Sequence, residues 1–437
     1  MSGRDNWART RPPVPVVRRS PPRGKRGWVV AIVAVPLMSN RESVVVIGAG
    51  QAAAQLAISL RQGGLKASLI VFGEEPYLPY QRPPLSKKFL SEPRTPDTLL
   101  LRPEAFWRDH EVTFHLGTPV GGVDLARRRL TLTDGREFTY GWLAFATGTS
   151  ARALRVPGIT LPGVFSVRTI DDVLRLRPAL DGASRIVIVG AGYIGLEVAA
   201  AAGSEGRHVT MLEAEDRVLK RVTGASVSAF FDQLHRARGV HVRLGARLAA
   251  IEGEKAVTAV RTQAHERLPA DLVLIAVGAR ANDDLAAAAG LACQDGIVVD
   301  ERARTADPKI YAVGDCTRFP SRRYGRALRL ECVQNAIDQS KAAAASILQA
   351  PSAYDPVPWF WSDQYDLKLQ IAGLNDGHEC AAVVGDPQSA RFSVEYQRDG
   401  CLIAVDAIND ARAHMLARKR IAEQTAELAR TNSAAAG

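Results

Sequence analysis

Val44-Val45-Val46-Ile47-Gly48-Ala49-Gly50-Gln51-Ala52-Ala53 and its echo Ile186-Val187-Ile188-Val189-Gly190-Ala191-Gly192-Tyr193-Ile194-Gly195 decide the fold. Each copy predicts a buried β-branched strand, a glycine turn and the start of a helix. The first glycine, Gly48 or Gly190, makes the tight turn. The second, Gly50 or Gly192, lets the backbone approach a pyrophosphate. The third position, Ala53 or Gly195, must be small so that helix and strand pack closely. Phosphates then sit at the positive end of the helix, where free N–H groups point outward. One such motif is weak, because glycine turns after strands are common. Two in one chain, each opening a βαβ pattern, point to two bound dinucleotides, FAD and a nicotinamide nucleotide. The fold class expected is α/β: two Rossmann-like dinucleotide-binding domains plus a C-terminal α+β domain.

The strand-end acids extend the pattern. A helix is expected over residues 51–61 and a second strand over 67–72, ending in Gly73-Glu74-Glu75. A carboxylate there accepts hydrogen bonds from ribose hydroxyls; Glu74 is the candidate, with Glu75 the alternative. In the second copy the acid is Glu213, 23 residues after Gly190. A carboxylate accepts from a free 2′-OH and repels a 2′-phosphate, so NADH is favoured over NADPH, although Arg217 and Lys220 follow closely.

The chain of 437 residues suggests about three domains at roughly 150 residues each. Its net charge of +10 is concentrated at one end: residues 1–37 carry eight basic side chains against Asp5 alone, leaving +3 for the other 400 residues. A nearly neutral body does not imply nucleic-acid binding. The Arg/Pro-rich start is expected to be disordered. The apolar run 28–38 is too short to span a bilayer. A basic stretch before a short apolar run resembles a secretory signal, but a cofactor enzyme follows at once, and Met38 is the expected natural start. The five cysteines form no Cys-x-x-Cys pair, so electrons leave the flavin without a dithiol. Scattered, odd-numbered cysteines also suit a reducing, cytoplasmic setting.

Pro79-Tyr80-Gln81-Arg82-Pro83-Pro84-Leu85-Ser86-Lys87-Lys88 comes next. Its prolines fix an extended backbone, Ser86 reads as a helix cap, and Lys87 is held in one place. An ammonium near a flavin suits the charge the ring gains on reduction; on spacing alone Lys87 is a surface lysine. With this element the chain resembles the FAD-dependent ferredoxin reductases of the rhodocoxin reductase and putidaredoxin reductase type, over roughly residues 42–410. The resemblance implies several roles. Ala52 lies in the pyrophosphate turn, Lys87 against the flavin, Val120 at the adenine, Arg168 at the FAD, and Val333 at the flavin pyrimidine. Asp315, in Val313-Gly314-Asp315-Cys316, bonds the ribityl chain, with Cys316 as packing. Tyr193 lies near the nicotinamide pocket, and Glu197 reaches toward Lys87; these two are the catalytic candidates, Lys87 and Glu197. The family usually has proline where this chain has Ala281, so a looser return to the flavin domain is expected.

Domains are expected at 1–41 (basic extension), 42–150 (FAD, first part), 151–282 (NAD), 283–356 (FAD, second part) and 357–437 (C-terminal interface). In the last, Trp359-Phe360-Trp361 beside a polar turn is expected to cover the flavin, with Trp361 as a flavin contact. Strands follow at 367–371, 379–384 and 392–397, and a helix from about 411. The reading is an NADH:ferredoxin reductase supplying a haem-thiolate (cytochrome P-450-type) monooxygenase. The partner expected is an acidic 2Fe-2S ferredoxin docking near Trp361 and Lys341, with Arg322, Arg323 and Arg326 adding positive charge. No nucleic acid or membrane partner is expected, and the chain is expected to be a monomer or weak homodimer. The rivals are a rubredoxin or dioxygenase-linked reductase, an NADH oxidase or peroxidase, and a non-catalytic FAD/NAD-binding signalling protein.

Overall fold

Val44–Ile47 is the central strand of a five-stranded sheet in the order Ile310–Ala312, Trp142–Phe145, Val44–Ile47, Leu69–Phe72, Val112–His115. The structure is a computed structural model that describes residues 43–203 and 206–435, with side chains to residue 424. The expected basic extension and Met38 lie outside the described residues. All pairings in this sheet are parallel. A strand with parallel neighbours on both sides is covered on both faces, which is why four consecutive β-branched residues are all buried. The strand Ile310–Ala312 arrives from beyond the second glycine motif, so the first sheet is completed only after the second is built.

The second sheet repeats the plan around Arg185–Val189, in the order His241–Arg243, His208–Leu212, Arg185–Val189, Leu272–Ile275, Val164–Phe165, again all parallel. In both halves an antiparallel three-stranded meander is inserted just before the strand that pairs with the other side of the centre. The first is Val120–Asp124, Arg129–Leu132, Glu137–Thr139; the second is Leu248–Glu252, Ala259–Thr262, Arg267–Pro269.

Two linkers join the halves, and they pair with each other: Thr149–Ala151 runs antiparallel to Ala279–Ala281. The return is therefore not loosened by Ala281, which is only 2% exposed. Asn282 does what a proline was expected to do. Its amide donates to the Thr147 carbonyl at 2.9 Å, and its own carbonyl accepts from Thr147 Oγ1 at 2.6 Å.

The last segment forms five antiparallel strands, not the three expected, in the order Trp359–Gln364, Leu367–Gly373, Cys401–Ile408, Arg391–Arg398, Cys380–Asp386. The stretch expected to be a polar turn after the aromatics is part of the first strand, Trp359–Gln364. Its pleat sends alternate side chains to opposite faces. Phe360, Ser362 and Gln364 face the half built on the second sheet, while Trp359 and Trp361 face away. One side of the sheet, with Leu369, Ile371, Phe392, Val394 and Tyr396, joins a core that includes Leu196, Val227 and Phe231 of that half. The other side is covered by helix Ala411–Ala435, through Ala417 and Ile421. Among the described residues no helix is long and apolar enough to cross a membrane.

Candidate active site at the second glycine loop

The two glycine loops are built alike. Gly48 and Gly190 both have φ 104°, a left-handed conformation that a side chain resists. A Cβ would lie 2.2 Å from the Ala146 carbonyl oxygen at Gly48 and 2.4 Å from that of Ala276 at Gly190. At Gly50 and Gly192 a Cβ would meet nothing within 4 Å. Each of these caps the N-terminus of a helix, Gln51–Gln62 or Tyr193–Ala202, with no side-chain cap and no acid in the first turn. With no capping side chain, the first-turn N–H groups are left for an anion such as a pyrophosphate. At the third position, Ala53 is fully buried, whereas a Cβ on Gly195 would sit 2.0 Å from the Gly190 carbonyl oxygen.

The strand-end acids differ. Glu213 follows directly on His208–Leu212. Its Oε2 accepts from the Ala191 N–H at 2.6 Å, and its Oε1 from the Glu215 N–H at 2.9 Å. The carboxylate is thereby folded over the glycine loop. Gly73 occupies the matching place in the first half, where a Cβ would lie 2.8 Å from Ala49 Cβ, and Glu74 beyond it is exposed. Glu75, the alternative acid, is committed elsewhere: it pairs with Arg82 at 2.6 Å and accepts from the Tyr80 hydroxyl at 2.6 Å.

Arg168 and Asp315 are far apart in the chain but meet at 3.3 Å. Burial pushes the Asp315 carboxyl above its ordinary pKa, and the Arg168 guanidinium beside it works the other way. Arg168 is aimed by donating from Nε to the Thr149 carbonyl at 2.9 Å. Arg82 donates to the Arg168 carbonyl at 2.7 Å, a role that spacing alone did not suggest. Val333 is the first residue of helix Val333–Ile347. Val120 opens the first meander, half-buried against that half's core.

The other cluster is the chemically distinctive one. Lys87 Nζ and Glu197 Oε2 form an ion pair at 2.8 Å, with the two side chains 16% and 2% exposed. Lys87 follows directly on the short 3-10 turn Pro83–Ser86, and Nζ also donates to the Pro83 carbonyl at 3.3 Å. Ser86 is not the helix cap expected: it is buried and donates to Glu197 Oε2 at 2.5 Å. Ser362, from the last sheet, donates to the other oxygen, Oε1, at 2.6 Å. A charge so deeply buried persists only when paired and hydrogen-bonded, and Glu197 has three donors. Tyr193, four residues earlier on the same helix, packs on Phe360 with ring centroids 4.4 Å apart and the rings tilted by 33°; burial holds its phenol well above the ordinary value.

Trp361 lies on the opposite face of its strand from Phe360 and Ser362, 5.7 Å from the Trp359 ring. Trp359 in turn packs on His414 and lies under the Arg418 guanidinium. Lys341 sits on helix Val333–Ile347, which packs against strand Trp359–Gln364; it is exposed and 3.2 Å from Asp338. Of the other expected docking charges, Arg326 pairs with Asp376 at 2.8 Å. Arg323 donates to the Ile421 carbonyl and, from its backbone, to Asp355, tying its loop to the last helix.

Comparison with known proteins agrees with this architecture. The profile of the pyridine nucleotide-disulphide oxidoreductases matches residues 42–340, and that of the reductase C-terminal domain matches residues 359–435. A ferredoxin–NAD(P)(+) reductase of a Sphingomonas species is 42% identical over 86% of this chain and 92% of its own length. Rhodocoxin reductase of Rhodococcus erythropolis is 41% identical over 87% and 90%. The crystal structure of the covalent putidaredoxin reductase–putidaredoxin complex superposes with a TM-score of 0.84 at 38% identity, covering 87% of this chain and 92% of that one. The chain belongs to the pyridine nucleotide-disulphide oxidoreductase family.

Proposed function

We propose that this protein is an FAD-dependent NADH:ferredoxin reductase that supplies electrons, through a 2Fe-2S ferredoxin, to a haem-thiolate monooxygenase. The observation that carries the reading is the buried Lys87–Glu197 pair, set on the helix of the second open glycine loop and closed over by the last sheet. FAD fits the cradle at Gly48, Gly50, Ala52 and Ala53, with Glu74 at the ribose, Val120 at the adenine, and Arg168, Asp315 and Val333 along the rest. NADH fits Gly190, Gly192 and Gly195, with Glu213 at its ribose. Bound there, the flavin supplies acceptance of a hydride from the dihydronicotinamide and its release as single electrons.

The chain's own part is positioning, exclusion of water and electrostatics. Lys87 holds a positive charge at the site, and Glu197 holds Lys87. Tyr193 and Phe360 form an aromatic wall beside the second loop. All five cysteines are free, which supports an exit for electrons that uses no disulfide and a cytoplasmic setting. The names of the relatives support a ferredoxin as acceptor, and Trp361 with Lys341 mark the face proposed for its docking.

The test is anaerobic mixing in two steps. NADH should bleach the yellow protein, and the reduced protein should then pass electrons to an acidic 2Fe-2S ferredoxin faster than to rubredoxin or oxygen. No bleaching by NADH, or oxygen as the fastest acceptor, would overturn the reading.

A further inference from the structure

A line of buried polar side chains runs outward from Glu197. Ser362 Oγ donates to Glu197 Oε1 at 2.6 Å. Gln364 Nε2 donates to Ser362 Oγ at 3.2 Å. His235 Nε2 lies 3.0 Å from Gln364 Oε1, and the Tyr365 hydroxyl 3.2 Å from His235 Nδ1. Ser362, Gln364 and His235 are each fully buried. The line ends at the half-buried Tyr365, whose ring lies under the Arg238 guanidinium.

The chemistry of the groups fixes the direction. The Gln364 amide offers its NH2 to Ser362 and its oxygen to His235, so His235 must carry its proton on Nε2 and accept from Tyr365 on Nδ1. A neutral ring is required for that, and burial does push the His235 pKa down. Because Ser362 Oγ already accepts from Gln364, its single proton is left for Glu197. Every donor therefore points toward the carboxylate, and hydrogen bonds so aligned polarise one another.

Resting on the reductase reading, the geometry points to Ser362 as a positioning residue for the reaction: delivered by the last sheet and oriented by Gln364, His235 and Tyr365, its hydroxyl fixes Glu197 and through it Lys87. The reactive pair is then complete only when the last sheet is docked on the second nucleotide-binding half. The pleat explains why this sheet opens with Phe360, Ser362 and Gln364 on one face. An apolar residue at 362 would leave Glu197 Oε1 without its donor and Gln364 Nε2 without its acceptor.

Three measurements test this, one of which needs no variant. In the wild-type protein, nitrogen-15 spectra of His235 should show the Nε2–H tautomer; an Nδ1–H ring overturns the proposal. Second, Lys87 should acylate faster in Ser362→Ala than in the wild type, scored by peptide mass spectrometry with and without bound flavin. Ser362→Thr, which keeps the hydroxyl, should restore slow labelling. Third, reduction by NADH should slow by about ten- to hundredfold in Ser362→Ala, recover in Ser362→Thr, and slow less in Gln364→Leu. Wild-type labelling and reduction in Ser362→Ala, or no recovery with threonine, would overturn it. The reductase reading is judged separately, on the wild-type protein alone: it fails if NADH does not bleach that protein or if oxygen is its fastest acceptor.

Discussion

The two glycine loops share strand register, turn geometry and the open second position, yet their helices face different surroundings. Helix Gln51–Gln62 is enclosed by its own half. Ala52, Ala53 and Ala57 share a core with Ala336 and Ala343 of helix Val333–Ile347, and Ser340 Oγ lies 2.9 Å from the Ala52 carbonyl. Alanine against alanine brings two helices close and leaves no room for a functional side chain. Helix Tyr193–Ala202 is enclosed by other segments: the Lys87 turn on one side and the last sheet on the other. It carries Glu197 into that junction. On the proposed reading the same fingerprint serves as a holding site in one copy and as a reacting site in the other, and the difference in cover is what separates them.

The sharpest way to break the comparison is at the first glycines. Gly48→Ala and Gly190→Ala impose the same local insult, a Cβ against a carbonyl oxygen at positive φ, costing about 2–6 kcal/mol from strain and overpacking together. The consequences should differ. Gly48→Ala should purify largely without flavin and melt well below wild type. Gly190→Ala should stay yellow but be reduced poorly by NADH. Flavin-to-protein ratio and anaerobic bleaching separate the two. Equal flavin loss in both would mean that the halves are not independent in the way their covers suggest.

Next in size is Asp315→Ala, which removes an acceptor from the first site and strands Arg168 beside it. Losing a charged partner costs about 1.5–3 kcal/mol, so flavin affinity should fall roughly ten- to hundredfold, with Glu213-dependent cofactor choice untouched. Full flavin occupancy with wild-type affinity would show that Asp315 serves the fold alone. At the second site the wild type should prefer NADH to NADPH by at least about tenfold in kcat/KM, roughly 1.4 kcal/mol. Glu213→Ala should narrow that gap while flavin content stays constant. Equal use of both nucleotides by the wild type would remove Glu213 from the ribose.

How much of this was legible follows from the range of the interactions. The glycine loops were, because strand, turn and helix N-terminus lie within ten residues and each constrains residue type. The strand-end acid Glu213 was, for the same reason. Arg168 and Asp315 were reached only through family resemblance, since nothing local says that residues in the loops after strands of two different sheets meet. Ser86 and Ser362 escaped because their partner, Glu197, lies 111 and 165 residues away, and a serine after prolines reads locally as a cap. Ser362 did leave one signal: in Trp359-Phe360-Trp361-Ser362-Asp363-Gln364 the polar residues Ser362 and Gln364 share a face with Phe360, which a turn reading overlooks. The meanders were missed because strands such as Arg129–Leu132 are short and half-polar. The supposed looseness at Ala281 was inferred from a missing proline, when the amide of Asn282 closes the linker instead.

The smallest expected effect concerns the grip of the last sheet on the second half. Tyr396 accepts from the Gly224 N–H at 2.9 Å and donates to Asp406 Oδ2 at 2.7 Å, while Asp406 Oδ1 is buried without a partner. Burial pushes the Asp406 pKa from 3.8 to about 7. A carboxyl raised in the folded state contributes stability fully below pH 3.8, and that contribution is lost as pH rises through 7. His235 and His414 are held below 6.5 by burial, so their contribution is present above that pH and is lost on acidification. The two trends oppose each other between about pH 5 and 7, which should flatten the wild-type profile. Asp406→Asn keeps an acceptor for Tyr396 and removes the carboxyl limb, although its NH2 needs an acceptor of its own. The net gain at pH 8 should be on the order of 1 kcal/mol, and the histidine trend should stand exposed as a melting temperature that rises steadily from pH 5 to 7. The check is a set of melting curves from pH 5 to 8 for both proteins. A variant that parallels the wild type at every pH would mean that Asp406 is ionised at no cost, and the sheet's hold on the second half would then rest on its apolar face alone.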